Sequence, residues 1–230
     1  MIERLQQSTT AESALRAVRD AILDGTLTPG SQLRETHTAA QLGISRAPLR
    51  EALHRLEQEG LVVRIPFRGS FVAEVSQQVA TEIAELRAML EPYAVERALP
   101  RFASPQGRAE LAEAVRLLGE RTAEGDRAGS IEAHLRVHRA LYEASQNQVL
   151  FEMWKSWESQ LRLFLAVNHQ SFPNLTSIAA SHYTLLALIE AGDMDEIRTA
   201  LAGHIDRGLS SNPHSPGLAE APLPEAADTH

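Results

Sequence analysis

Four histidines in the C-terminal two-thirds of the chain are spaced so that they can converge on one metal ion. His134 and His138 are four residues apart in a stretch with helical periodicity, so they share one helix face. His182 and His204 lie in two later helical stretches, and in a helical bundle all four side chains can point inward. Imidazole nitrogens suit divalent transition metals. From spacing alone, solvated or hydrogen-bonded core histidines remain the alternative, because five other histidines are scattered along the chain.

A second set of polar residues has the chemistry of a DNA contact. Arginine presents a planar fork that fits phosphate and guanine edges, and serine at a helix start can bind phosphate with help from the helix dipole. Glycine at a hairpin tip lets the backbone come close to a minor groove. The alternative is that Arg46 and Arg50 simply form a solvated helix face together with Glu51 and Glu57. The candidate DNA-binding residues are Arg34, Ser45, Arg46, Pro48, Arg50, Arg68 and Gly69.

The net charge of −8 argues against DNA binding until it is divided along the chain. Residues 1–75 contain nine arginines and nine acidic residues, so this part is neutral, and five of its arginines fall between Arg46 and Arg68. All the excess acid therefore lies beyond residue 75. Because the chain has no cysteine, disulfides and thiolate ligands are excluded, and a metal must rest on His, Asp and Glu. With no signal pattern and no apolar run of membrane-spanning length, we expect a cytoplasmic protein.

The elements that must position these residues fall into two groups. Periodicity and breakers predict helices at 12–23, 35–42 and 46–59, followed by strands at 61–65 and 70–75. Ser45 is expected to cap the third helix, and Gly60 to end it. Three helices and one hairpin are the outline of a winged helix-turn-helix, whose second motif helix enters the major groove. We therefore assign residues 1–75 to a DNA-binding domain.

The rest of the chain shows only helical patterns. Six helices are predicted, at 77–99, 105–124, 127–145, 147–168, 174–191 and 193–209, with Pro100 among the breakers between them. The short connections indicate an antiparallel all-α bundle, assigned to residues 76–210. The proline-rich segment 211–230 has no periodicity and is predicted to be a disordered tail. The predicted fold class is mostly α, with a winged helix followed by a bundle.

The string LGISRAPLREALHRLEQEGL at 42–61 closely resembles the GntR family of transcriptional regulators. Its hallmark reads LG(V/I)SR(T/A)P(V/L)REAL..LE.EGL, and the resemblance covers residues 11–75. It implies a winged helix that binds a short palindromic operator in double-stranded DNA as a homodimer, with 45–50 on the recognition helix and 68–69 at the wing tip. Residues 36–38 depart from the pattern, which often has Glu and Leu there, so looser packing is expected.

Residues 77–209 resemble the FadR-type ligand-binding domain of that family, the FCD domain, and the six helices are similar in number to its VanR-type branch. Many members bind a divalent metal through one Asp and three His. The three His correspond to His138, His182 and His204, whereas His134 occupies the Asp position. Four neutral nitrogens would favour Zn first, or Ni, Co or Cu, over Mg or Mn, and would attract an anion. The alternative is that His134 points away and the site is degraded.

Arg87 and Glu91 match the R..(L)E pattern of the domain's first helix. In relatives this Arg often faces the ligand pocket, where a guanidinium can clamp a carboxylate, and the alternative is an exposed Arg paired with Glu91. The sequence thus predicts a regulator, expected to be a repressor and not an enzyme, that senses a small organic acid at a metal-containing pocket. The alternatives are a direct metal sensor and a metal-dependent enzyme fused to a DNA-binding module.

Overall fold

The computed structural model describes residues 10–171 and 175–210, with side chains placed for 10–167 and 175–205. Within these residues, a winged helix precedes a helical bundle, so the predicted fold class is confirmed. No helix in the described ranges combines the length and apolar character needed to cross a bilayer. The tail prediction for 211–230 falls outside the described residues.

The winged helix contains three helices and a three-stranded antiparallel sheet in the order β1-β3-β2. The strand β1 was missed because two residues are too short to show an alternating pattern. It pairs with β3 through Gln32 opposite Phe71. The element bounds are α1 (Thr10–Leu23), β1 (Gln32–Leu33), α2 (Glu35–Gln41), α3 (Arg46–Gln58), β2 (Val62–Ile65) and β3 (Gly69–Val72).

Local details of the winged helix differ from the predictions at two points. Ser45 occupies the N-cap position of α3, but its side chain makes no capping hydrogen bond. The strand β3 ends at Val72, three residues before its predicted end, because the pair Val62–Val72 is the last in the β2–β3 ladder. In α2, Ala39 is the buried residue, while Thr36 and His37 are exposed and Thr38 is half-buried.

Six helices form the C-terminal bundle in the described residues, as predicted. The prediction that Pro100 separates two helices was wrong, because α4 continues past it to Phe102. Pro100 lies in the last turn, where the lost hydrogen bond costs about 1 kcal/mol, and burial of Phe102 offsets this by about 2 kcal/mol. The helices are α4 (Gln77–Phe102), α5 (Pro105–Ala123), α6 (Arg127–Ala144), α7 (Gln148–Ser171), α8 (Thr176–Ala191) and α9 (Met194–Ser210).

The hydrophobic core runs without a break from the winged helix into the bundle. Leu15 and Val18 of α1 and Leu53 of α3 belong to the same buried cluster as Trp154 and Trp157 of α7. A second cluster is formed by α4, α5, α6, α8 and α9 around the far end of the bundle. The helix α7 therefore has one part against the DNA-binding domain and another against the middle of the bundle.

The two parts approach each other closely at Gly60, just after α3. Its φ is +73°, and a Cβ atom there would lie 2.7 Å from both Cβ and Oγ of Ser159 on α7. Glycine is required at this position both for the left-handed backbone and for the close contact. A salt bridge between Arg19 and Glu59, 2.5 Å long, lies one residue away.

We predict that Gly60→Ala lowers the free energy of unfolding by about 2–4 kcal/mol, through left-handed backbone strain and the clash with Ser159. Gly43→Ala is the matched control, because Gly43 has φ +65° and nothing within 4 Å of the added Cβ. It should lose only the backbone part, about 1–2 kcal/mol. Thermal or urea unfolding measures both variants, and equal losses would show that the contact with Ser159 contributes nothing.

Candidate metal centre and nucleic-acid interface

The four predicted histidines meet inside the bundle. His134 and His138 lie on α6, His182 on α8 and His204 on α9, and one nitrogen of each lies within 4.8 Å of the others. The Nε2 atom of His138 is 3.1 Å from Nε2 of His134 and 3.1 Å from Nε2 of His204. It is 3.4 Å from Nε2 of His182. Nitrogens bound tetrahedrally to zinc lie about 3.3 Å apart, so these separations are those of ligands around one ion.

The hydrogen bonds of the outer ring nitrogens fix which nitrogens carry protons. His182 Nδ1 lies 2.7 Å from the carbonyl oxygen of Ile178, which can only accept, so Nδ1 is the protonated atom. Nδ1 of His138 likewise faces a carboxylate oxygen of Glu91 at 3.1 Å. In neutral rings with these tautomers, Nε2 carries a lone pair. Two lone pairs 3.4 Å apart repel each other unless a cation lies between them.

His204 carries its proton on the same ring nitrogen, Nδ1, as His138 and His182. Its Nδ1 lies 3.2 Å from Oγ of Ser181, and that hydroxyl donates its single hydrogen to the carbonyl of Ile178. The hydroxyl oxygen is then an acceptor, so His204 Nδ1–H donates and Nε2 keeps its lone pair. Nε2 of His134 also faces this centre, which places His134 with the other three and not turned away. The cluster therefore presents at least three lone pairs to one point.

Burial keeps the central histidines neutral, as metal binding requires. Burial, with the neighbouring His138, lowers the pKa of His182 to about 3. Burial likewise lowers the pKa of the His138 imidazole, in spite of the nearby Glu91 carboxylate. At neutral pH both rings are therefore uncharged, and their lone pairs are not blocked by protons.

The carboxylate of Glu91 supports the histidine cluster from behind. It is fully buried, accepts a 2.6 Å hydrogen bond from Arg87 Nε and faces His138 Nδ1 through its other oxygen. Burial opposes its ionisation, but Arg87 and His138 lower the pKa of Glu91 to about 2. A carboxylate bonded to the outer nitrogen of a ligand histidine orients the ring and raises its basicity. The sequence named Glu91 only as a partner for Arg87, and the R..(L)E motif gave no sign of its contact with α6.

Arg87 is buried, with 7% of its surface exposed, so the alternative of an exposed surface pair is wrong. Its Nη2 atom is buried and has no hydrogen-bond partner within the described part of the chain. The guanidinium carbon lies 6.0 Å from the ring centroid of Trp154, which is itself 6.2 Å from that of His138. Arg87, Glu91 and the histidines thus form one buried polar cluster with α7 beside it.

A cavity of about 660 Å³ lies on the opposite side of α6. Residues of α5, α6 and α7 line it, including Arg136, Arg139 and Glu143 of α6. None of the four histidines is among its lining residues. The metal candidate is therefore separate from this cavity.

The predicted DNA-binding residues lie at the start of α3, at the start of α2 and at the tip between β2 and β3. Ser45, Arg46 and Arg50 at the start of α3 are exposed, and Pro48 is half-buried. Arg50 pairs with Glu35 of α2 at 2.7 Å, and not with Glu51 or Glu57.

At the wing, Arg68 and Gly69 are exposed at the tip between β2 and β3, and Arg34 is exposed at the start of α2. Sequence reasoning missed Gln32, whose amide donates to the Arg68 carbonyl at 2.8 Å and whose oxygen accepts from Arg34 Nε at 3.3 Å. Its strand β1 was not predicted, so nothing placed Gln32 beside the wing. The Gln32 side chain thus joins Arg34 to Arg68 through two hydrogen bonds.

Comparisons with known proteins agree with both halves of the fold. Residues 10–72 match the gntR family of bacterial regulatory proteins, and residues 82–207 match the FCD domain. The chain is 32% identical over 191 residues to the HTH-type transcriptional regulator McbR of Escherichia coli K12, covering 81% of this chain and 85% of that one. It is 28% identical to a Paenarthrobacter nicotinovorans protein described as "Probable D-xylose utilization operon transcriptional repressor", over 95% of this chain and 96% of that one.

A solved structure of E. coli McbR/YncC superposes with a TM-score of 0.65 at 26% identity, covering 89% of this chain and 97% of that chain. The FCD match spans more than half of the sequence, and the matched regions coincide with the winged helix and the bundle described above. The chain therefore belongs to the GntR family of transcriptional regulators, with an N-terminal helix-turn-helix domain and a C-terminal FCD domain.

Proposed function

We propose that this regulator is a repressor whose affinity for its operator is controlled by a small carboxylate bound at a metal-containing pocket in the FCD domain. The observation that carries the proposal is the convergence of the Nε2 lone pairs of His138, His182 and His204 beside the buried Arg87–Glu91 pair. A repressor is named among the relatives. The proposal also includes a cytoplasmic homodimer that binds a palindromic site with two recognition helices.

The donor set favours zinc, followed by nickel, cobalt or copper. All four inner donors are imidazole nitrogens, and the 3.1–3.4 Å separations from His138 suit a small ion. His134 is proposed as the fourth ligand. The negative charge that a family Asp would bring is partly supplied by Glu91, one hydrogen bond behind His138. The nearby carboxylate would therefore offset part of the metal's positive charge, which four neutral nitrogens alone would not do.

Arg87 is proposed to bind the effector's carboxylate. Its Nε donates to Glu91, whereas its buried Nη2 atom has no hydrogen-bond partner among the residues that the structure describes. A buried guanidinium nitrogen without a partner is costly, and a carboxylate oxygen would satisfy it. An acid that binds both this nitrogen and the metal would be held at two points.

A path from this pocket to the DNA is available through α7. Trp154 lies beside both Arg87 and His138, and one turn later Trp157 and Ser159 are in the part of α7 that contacts the DNA-binding domain. A ligand that shifts Trp154 would move a rigid helix whose other face packs on α1 and the turn after α3. Such a shift would change the spacing of the two recognition helices in a dimer.

A direct metal sensor is the second candidate. It is favoured by the burial of His134, His138 and His182 and by the position of the 660 Å³ cavity on the opposite side of α6. In that case the metal itself, and not an acid, would be the effector. Operator affinity with the metal present but no acid separates the two candidates.

We predict that Arg46→Ala or Arg50→Ala weakens operator binding about 100-fold, because a dimer loses the contact in both half-sites. The operator is first selected from a random duplex pool with the wild-type chain, and affinity is measured by gel shift. Arg116→Ala, which removes the same charge from an exposed position of α5, is the control and should bind normally. Sedimentation should show an unchanged oligomeric state, and wild-type affinity of both variants would refute the recognition-helix assignment.

We also predict that His138→Ala and His182→Ala each lose most of the bound metal, because either change removes an inner ligand. Elemental analysis after dialysis measures the metal content. His54→Ala, on an exposed face of α3, should keep the wild-type content. His134→Asp should still bind a divalent ion but with preference moved towards manganese, since it restores an oxygen ligand. Full metal content in both alanine variants would rule out this site.

A further inference from the structure

Phe67 at the wing tip is an apolar side chain with no place in the core. Among the large hydrophobic residues that the structure describes, it is the most exposed, at 109% of the reference surface, followed by Val149 at 72%. It lies in the three-residue loop between the paired residues Ile65 and Gly69. Because it is fully solvated, the fold gains no burial energy from an aromatic ring here.

The backbone at this position would suit glycine better. Phe67 has φ +63°, in the left-handed region that bulky L-residues avoid. The Arg68 amide donates to the Ile65 carbonyl at 3.0 Å, which closes a four-residue turn with Pro66 second and Phe67 third. Proline second and a positive φ third define a type II turn, whose third residue is usually glycine. Neither the turn nor the core thus accounts for a phenylalanine at position 67.

The tip that carries Phe67 is held in place by its neighbours. The Gln32 amide donates to the Arg68 carbonyl at 2.8 Å, and Ser70 next to the tip is buried. The Arg68 guanidinium lies 5.6 Å from the ring centroid of Phe71, back along β3. The Arg68 guanidinium therefore points back along β3, while the ring of Phe67 is fully exposed. Because the loop is already ordered by these contacts, inserting a side chain from its tip costs little further conformational entropy.

The wing and the recognition helix are connected through one acidic residue. Glu35 contacts Arg50 of α3 at 2.7 Å and Arg64 of β2 at 4.0 Å. One arginine of the wing, Arg64, and one of α3, Arg50, thus lie around the same side chain. A duplex held by the start of α3 would meet the wing in an adjacent groove.

We propose that Phe67 is an apolar wedge that enters the minor groove beside the half-site and partly unstacks one base step. The inference rests on the DNA-binding part of the proposed function and is independent of the metal and the effector. Aromatic and aliphatic wedges are used in this way by minor-groove binders, and they kink the duplex. Flexible pyrimidine–purine steps are the cheapest to unstack, so a preference for TA or CA/TG at that position is expected.

The test compares Phe67→Gly with the full-length wild-type chain on a duplex that the wild type has selected from a random pool. Anisotropy titrations should show roughly tenfold weaker binding for the variant. Phe67→Trp should bind like the wild type. A 2-aminopurine placed at the flanking step should brighten when the wild type or Phe67→Trp binds, and should not with Phe67→Gly.

Two further readouts separate the wedge from other roles. The slope of log K against log salt should be unchanged in Phe67→Gly, whereas Arg68→Ala should reduce it by about one. Val63→Ala, which shortens another exposed apolar side chain on the same wing, should bind normally. Thermal stability of Phe67→Gly should be equal to or above that of the wild type, because glycine relaxes the turn.

Wild-type affinity and 2-aminopurine brightening in Phe67→Gly would overturn the proposal. A loss of affinity that sedimentation traces to a dissociated oligomer would overturn it as well, since Phe67 would then contact a second copy and not DNA. If the wild type itself selects no duplex, the DNA-binding function fails, and that result is distinct from a failure of the wedge alone.

Discussion

The buried ion pair between Arg87 and Glu91 is the constraint on which the centre of the bundle depends. Two charges taken out of water are costly unless their remaining donors and acceptors are satisfied. Glu91 meets this requirement by using one oxygen for Arg87 Nε and the other for His138 Nδ1. That second bond fixes the tautomer of His138 and turns its Nε2 lone pair towards the other histidines. Removing Arg87 or Glu91 alone would cost about 3–5 kcal/mol and would disturb the metal candidate as well.

The helix α7 gives this centre its connection to the rest of the molecule. Trp154 is fully buried beside Arg87 and His138, and the hydrophobic cluster to which it belongs continues into α1 and α3. Close-packed interiors do not deform continuously, so under the proposed function we expect a displacement at Trp154 to be passed along the helix. At Gly60 the two parts are packed so closely that Ser159 leaves no room for a Cβ atom. In this arrangement the sensing and DNA-binding parts share one helix and one core.

Most of the fold could be predicted because its signals are local. Helical periodicity, left-handed glycines such as Gly43 and Gly60, and the 42–61 motif are each contained within a short window. The misses have non-local causes. Pro100 was taken as a helix end because burial of Phe102 two residues later is a tertiary effect. The strand β1 exists only through its pairing with β3.

The residues of the candidate site likewise divide into those that local patterns predict and those that only packing defines. The four histidines were found from helical spacing and a family pattern, and the structure brings them together. The contact of Glu91 with His138 spans 47 positions in the chain, and no pattern within α4 reveals it. The same holds for Gln32, which reaches the wing tip 36 residues away. Residues that support a site from another element are defined by packing, and the sequence does not show which elements will be neighbours.

We propose that a metal and Arg87 together bind a carboxylate that controls operator affinity. The most direct measurement is the operator dissociation constant of the full-length protein, titrated with a panel of small mono- and dicarboxylic acids, before and after removal of the metal by a chelator. At least one acid should shift the constant about tenfold in the metal-loaded protein, a coupling of typical size, and should have no effect after chelation. An unchanged response after chelation, or no response to any acid with the metal bound, would contradict the account.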